Sequence, residues 1–116
     1  MVRSAAAFAL GELRSELAVS VLIETLKVDS GPTGDHAADA LSKIGEAAAK
    51  PLIELLADEN PLVRLRAARA LKPIEAHAAI PQLIACFEQD SSYLVRYHAE
   101  MALKRMGVGE MIYFKP

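Results

Sequence analysis

The stretch that decides the fold is Val63-Arg64-Leu65-Arg66-Ala67-Ala68-Arg69-Ala70-Leu71-Lys72-Pro73-Ile74. Its apolar positions Val63, Ala67, Ala70, Leu71 and Ile74 fall at i, i+4, i+7, i+8 and i+11. That spacing is one face of an α-helix and cannot be one face of a strand. The pattern is met again without gaps at Val2 to Leu10, Thr33 to Leu41 and Val95 to Leu103, with closing leucines Leu10, Leu41, Leu71 and Leu103. Across the four copies these five columns contain one residue that is not apolar, Thr33.

A second set lies between them. Ala18, Leu22, Ile23 and Leu26 match Ala48, Leu52, Ile53 and Leu56, then Ala79, Leu83, Ile84 and Phe87. Its spacing of i, i+4, i+5, i+8 is also helical. The chain is therefore expected to alternate A and B helices at 2–13, 16–28, 33–44, 47–57, 61–73, 77–89 and 92–106. Asn60-Pro61 supplies a capping side chain followed by proline at the first helical position. Pro51 and Pro81 are expected in first turns, where proline is tolerated. Gly45 and Gly107 follow helices where a left-handed residue is wanted. No pair can bury its apolar stripe alone, so neighbouring pairs must stack. The expectation is one all-α domain over 1–116, with repeats at about 2–31, 32–61, 62–93 and 94–116, the last incomplete.

Composition agrees. Hydrophobic residues make up 53% of the 116 positions but aromatics only 5%, so the apolar mass is alanine and leucine, which suit helices. No apolar run reaches the length of a membrane span. The single cysteine cannot form an internal disulfide, and a reducing, cytoplasmic setting follows as the default. A net charge of −2 argues against a general nucleic-acid binder.

The pattern Val63-Arg64…Ala67…Ala70-Leu71…Ile74, with Ala48…Leu52-Ile53-Glu54-Leu55-Leu56-Ala57-Asp58, resembles the short HEAT-like repeats of the phycobilisome-lyase type. The resemblance covers residues 2 to about 106. It implies a right-handed α-α superhelix, an armadillo-type solenoid of about 3.5 helix pairs. Similar proteins include bilin-lyase subunits, deoxyhypusine hydroxylase and prokaryotic scaffolds. It also implies a structural ladder in which Arg3, Arg64 and Arg96 meet the turn aspartates Asp29, Asp58 and Asp90. Arginine suits that role because its planar fork can bind a carboxylate and backbone carbonyls together. The second repeat departs from the pattern, with Thr33-Gly34 in place of Val-Arg.

Chemistry-bearing residues are sparse. His36 and His98 share a column two repeats apart, roughly 20 Å, too far to share a metal. His98 and Glu100 are two apart on a helix and face different ways. These histidines are read as solvent-facing, and no cofactor or metal is expected. Cys86 reads as a small apolar filler, since no histidine is placed to activate it. Gly31-Pro32-Thr33-Gly34 lacks the lysine of a phosphate loop and reads as a flexible connection. Arg66, Arg69 and Lys72 read as a solvated face opposite the apolar stripe.

The expected function is binding another protein without catalysis, through the B-helix face that lines the concave side of similar proteins. Candidate contacts are Glu24, Lys27, Lys50, Glu54, Gln82 and Glu88. The alternative is an accessory subunit of a bilin-lyase-like enzyme. The apolar run Met111, Ile112, Tyr113 and Phe114 has two readings: a cap folded back over the last A and B helices, or a partner contact, which as exposed apolar surface at the C-terminal end would give a homodimer.

Overall fold

The computed structural model describes residues 2–108, with side chains from residue 15 onward. Six α-helices occupy these residues: α1 (Val2–Val28), α2 (Pro32–Ile44), α3 (Glu46–Leu55), α4 (Pro61–Ile74), α5 (Ile80–Gln89) and α6 (Tyr93–Arg105), with a 3₁₀ turn at His77–Ala79 leading into α5. No strand occurs among the described residues. Helices α2, α4 and α6 carry the A pattern, and α3 and α5 carry the B pattern.

Two expectations change. The first A and B segments are one continuous helix, α1, of 27 residues, about 40 Å long. The expected break falls in Glu12-Leu13-Arg14-Ser15-Glu16, which contains no proline and is rich in good helix formers. Gly11 alone costs only about 1 kcal/mol and does not end a helix. Helix α3 starts at Glu46, so Pro51 lies in its second turn and not its first. The Ala47 carbonyl thereby loses its intrahelical donor, but Ala47 is exposed and water can serve it.

One residue, Gly45, separates α2 from α3. Its φ of +85° is a conformation that favours glycine, and its N–H donates to the Leu41 carbonyl at 3.1 Å. At the matching junction after α4, Glu75 adopts φ +54° and donates to the Leu71 carbonyl. A non-glycine residue tolerates that region at some cost.

Leu26, Leu41, Leu52, Leu71, Leu83 and Leu103 are fully buried, so the leucine columns of both helix sets form the core. Alanines fill the seams between them: Ala37, Ala38, Ala67, Ala68, Ala99 and Ala102 are all buried. Small residues there let the helices approach closely. Helix α4 is central, packing against α2, α3 and α6. At the start of the stack Val19 is buried while Ala18, expected inward, is exposed. The radius of gyration is 15.6 Å, against about 13.4 Å for a compact domain of this length. Extents of 58 × 31 × 17 Å agree with a stack.

Candidate functional site

Each A helix after the first begins with the same turn. An aspartate two residues before the N-cap accepts the N-cap N–H: Asp29 from Gly31 at 2.8 Å, Asp58 from Asn60 at 2.9 Å and Asp90 from Ser92 at 2.9 Å. Asn60 and Ser92 then accept from Leu62 and Val95 inside their helices.

Arg64 joins two of these turns. Its Nε and Nη2 donate to the Asp90 carboxylate at 2.8 and 3.1 Å, while Nη1 donates to the Asp58 and Glu59 carbonyls at 2.8 and 3.0 Å. The fork therefore holds the turn before its own helix and the turn of the next repeat at once. Burial opposes ionisation of Asp90. The hydrogen bonds from Arg64 and the Ser92 backbone, with the charges of Arg64 and Arg96, nonetheless hold its carboxyl below the usual aspartate range. Arg96 repeats half of the arrangement, with Nη1 donating to the Asp90 carbonyl at 2.7 Å. Arg3 lies outside the residues whose side chains are described.

The second repeat has no arginine at this position, and a different residue does the work. Arg66 reaches back from α4, 1% exposed, into the space left by Gly34. Its Nη1 donates to the carbonyls of Leu26 and Asp29, Nη2 to that of Gly31 at 2.9 Å, and Nε to the Asp35 carboxylate at 2.9 Å. Any side chain at residue 34 would collide with the Arg66 guanidinium. Two sequence expectations are thereby corrected. Arg66 is not part of a solvated basic face, because the carbonyls ending α1 need a buried donor. Gly31 to Gly34 is not a flexible connection. Gly31 is the N-cap of α2, Pro32 its first residue, and Gly34 is buried. The signal was present in the sequence: a glycine in an arginine column leaves carbonyls that another donor must reach.

The rest of that face is more open. Arg69 meets Asp39 at 3.5 Å, the aspartate exposed and the arginine half-buried, and Lys72 is half-buried as well. His36 is exposed, but His98 is half-buried, with Nδ1 buried and unpaired among the described residues. Burial first, then the charges of Lys72 and Arg69, lower the His98 pKa, so the ring favours its neutral form. The solvent-facing reading thus fails for His98, because its ring packs edge-on to Tyr97 at 5.2 Å. Cys86 is buried and directed at the Leu56 carbonyl at 3.7 Å, with its thiol pushed up to about 11 chiefly by burial.

Glu24, Lys27, Lys50, Glu54, Gln82 and Glu88 are all exposed on α1, α3 and α5. Beside them a shallow groove of about 360 Å³ runs between α1 and α3, lined by Ser15, Glu16, Val19, Ser20, Ala47 and Pro51. Leu17 and Val21 on α1 are 66% and 63% exposed. The surface is mixed in charge with apolar patches. Met111, Ile112, Tyr113 and Phe114 lie outside the described residues. No helix among the described residues is long and apolar enough to cross a membrane.

Comparison with known proteins fits this architecture. A family model described as HEAT repeats matches residues 35–104, and one described as PBS lyase HEAT-like repeat matches residues 2–27. The chain is 34% identical over 106 residues to the phycobilisome maturation protein of Synechococcus elongatus, an alignment covering 91% of this chain and 50% of that protein. The chain therefore spans about half the length of this curated relative. With four copies of the repeat in its sequence, six stacked helices and the aspartate turns that join them, the chain belongs to the HEAT repeat family, and its repeats are of the PBS lyase HEAT-like type.

Proposed function

We propose that the chain is a non-catalytic protein-binding scaffold that acts as an accessory factor in bilin-lyase-like maturation of a pigment protein. The observation that carries the setting is the 34% identity, across 91% of the chain, to a phycobilisome maturation protein. The binding face is the exposed side of α1, α3 and α5, with Glu24, Lys27, Lys50, Glu54, Gln82 and Glu88 as contacts. Its support is positional. These residues stand on B helices whose other sides are buried, and alternating acid and base favour a partner of complementary pattern. The C-terminal run from Met111 to Phe114 adds a second contact, through which two copies pair.

The test is a pull-down of an apo-phycobiliprotein subunit by the purified chain, alongside its absorption spectrum after incubation with phycocyanobilin. Retention of the subunit, weakened by Lys50→Glu with Glu54→Lys, supports the scaffold. A tetrapyrrole retained by the chain alone would move the assignment to a pigment-handling lyase subunit. Retention of neither sinks the setting.

A further inference from the structure

Helix α2 is open on the side where its counterparts are covered. Aligned on Leu41, Leu71 and Leu103, the residues Thr33, His36 and Ala40 correspond to Val63, Arg66 and Ala70 of α4 and to Val95, His98 and Ala102 of α6. On α4 this side packs against α2, and on α6 it packs against α4. Val63, Arg66, Ala70, Val95 and Ala102 are accordingly buried, and His98 is half-buried. On α2, Thr33 and His36 are exposed and Ala40 is only half-buried. Polarity is not the cause, since His36 shares its column with the buried Arg66. What differs is the helix in front.

The chain carries a helix of the right pattern and places it elsewhere. Val2, Ala6, Ala9 and Leu10 repeat the columns of Val63, Ala67, Ala70 and Leu71, so residues 2–13 have the stripe of an A helix. After α2 and α4 a left-handed residue, Gly45 or Glu75, turns the chain into the next helix. Here no turn intervenes, and α1 runs unbroken from Val2 to Val28. Its Ser15, Glu16, Val19 and Ser20 lie beside Ala47 and Pro51, just beyond the end of α2 at Ile44. Residues 2–14 of the same helix are therefore carried about 20 Å past α2 and do not lie along it.

We propose that the first turns of α1 pack on α2 of a second copy of this chain, each copy lending residues 2–13 to the other in an exchanged dimer. Exchange of an identical segment reuses contacts that the sequence already specifies. An unbroken helix in place of a turn keeps a chain from making them with itself. The contact is reciprocal, so the dimer closes. By the register that sets Asp35 against Arg66 between α2 and α4, Ser4 of one copy comes opposite His36 of the other. The proposal rests on neither the B-helix face nor the C-terminal run, and stands if both bind nothing.

The test is the whole chain with Ser4→Cys and His36→Cys, treated with a short bismaleimide and resolved by denaturing gel and intact mass. The expected product is a bridge between two chains. It should be absent from chains with only one added cysteine, which also report any bridging to the buried Cys86. A bridge within one chain would mean that residues 2–13 fold back on their own α2, and overturns the proposal. So does the lack of any bridge, the result if copies pair only through the C-terminal run. Glu12→Asn with Leu13→Pro places in α1 the Asn-Pro start found at α4. Added to the cysteine pair, it should turn most of the bridging from between chains to within them. Bridging between chains that ignores this change overturns the proposal, because the unbroken helix would not be what forces exchange.

Discussion

At the scale of the residue, Arg66 and Gly34 form a functional pair although they are 32 positions apart. Removing Arg66 leaves the carbonyls of Leu26, Asp29 and Gly31 without this donor. Arg66→Ala should therefore cost about 3 kcal/mol or more in urea denaturation, since each orphaned buried acceptor costs about 1–3 kcal/mol. Gly34→Arg alone should also destabilise, because the new side chain meets the guanidinium already there. In the double variant the collision with the guanidinium is gone, although a Cβ at 34 still meets the Asp29 carbonyl oxygen. The double variant's loss should fall short of the sum of the single losses by at least about 1 kcal/mol. An additive double variant would mean that the two residues do not compete for one space. Arg69→Ala, three residues along, should change stability by no more than about 0.5 kcal/mol, since its contact with Asp39 is long and open to water. Periodicity assigned Arg66 and Arg69 to one solvated face. It could not see that a long side chain crosses to the next repeat, because helical spacing fixes where a side chain starts and not where its charged end goes.

At the scale of the element, helix and turn have different sources of stability. Leu71, at the centre of α4, is fully buried. Leu71→Ala should cost about 2–5 kcal/mol, read as a shift in denaturant midpoint. The turn before α6 depends on charge. The Asp90 carboxyl titrates below its unfolded value of about 3.9, so its contribution is complete above about pH 5 and lost as the pH falls through 4 and below. Asp90→Asn should thus be about 1.5–3 kcal/mol less stable than the native chain at pH 7, with the gap narrowing by pH 3. A gap constant with pH would remove the ion pair from the account. The elements themselves were largely legible. Proline and glycine punctuation located the start of α4 and the joint at Gly45, whereas Gly31 to Gly34, expected as a connection, opens α2. The division of α1 was not, because repeat logic demanded a turn where the local residues favour continuing the helix.

At the scale of the whole molecule, an elongated stack has no single centre shared by all helices. Each contacts its neighbours, and α4 has packed partners on both sides. Amide hydrogen exchange should therefore be slowest in α4 and faster toward α1 and α6. Uniform protection would indicate that the stack opens only as a unit. The fold was legible because a repeated apolar stripe has few ways to be buried. The site was less so, because a binding surface is built from exposed residues that periodicity leaves unconstrained, and no residue type marks what Glu54 or Tyr97 meets.

Helices that touch through alanine are smooth, and smooth surfaces can slide. Along α2, α4 and α6 the seams offer methyl groups and few interlocking knobs, so close approach alone does not fix which turn faces which. Among the described residues, the two arginines that make several bonds each across these seams leave from α4: Arg66 backward to the end of α1 and the start of α2, Arg64 forward to the turn of α6. A load drawn along the axis of the stack would be shared between the apolar core and two guanidinium groups two residues apart on one helix. Slippage by a helical turn, rather than unfolding, is the failure such a linkage guards against.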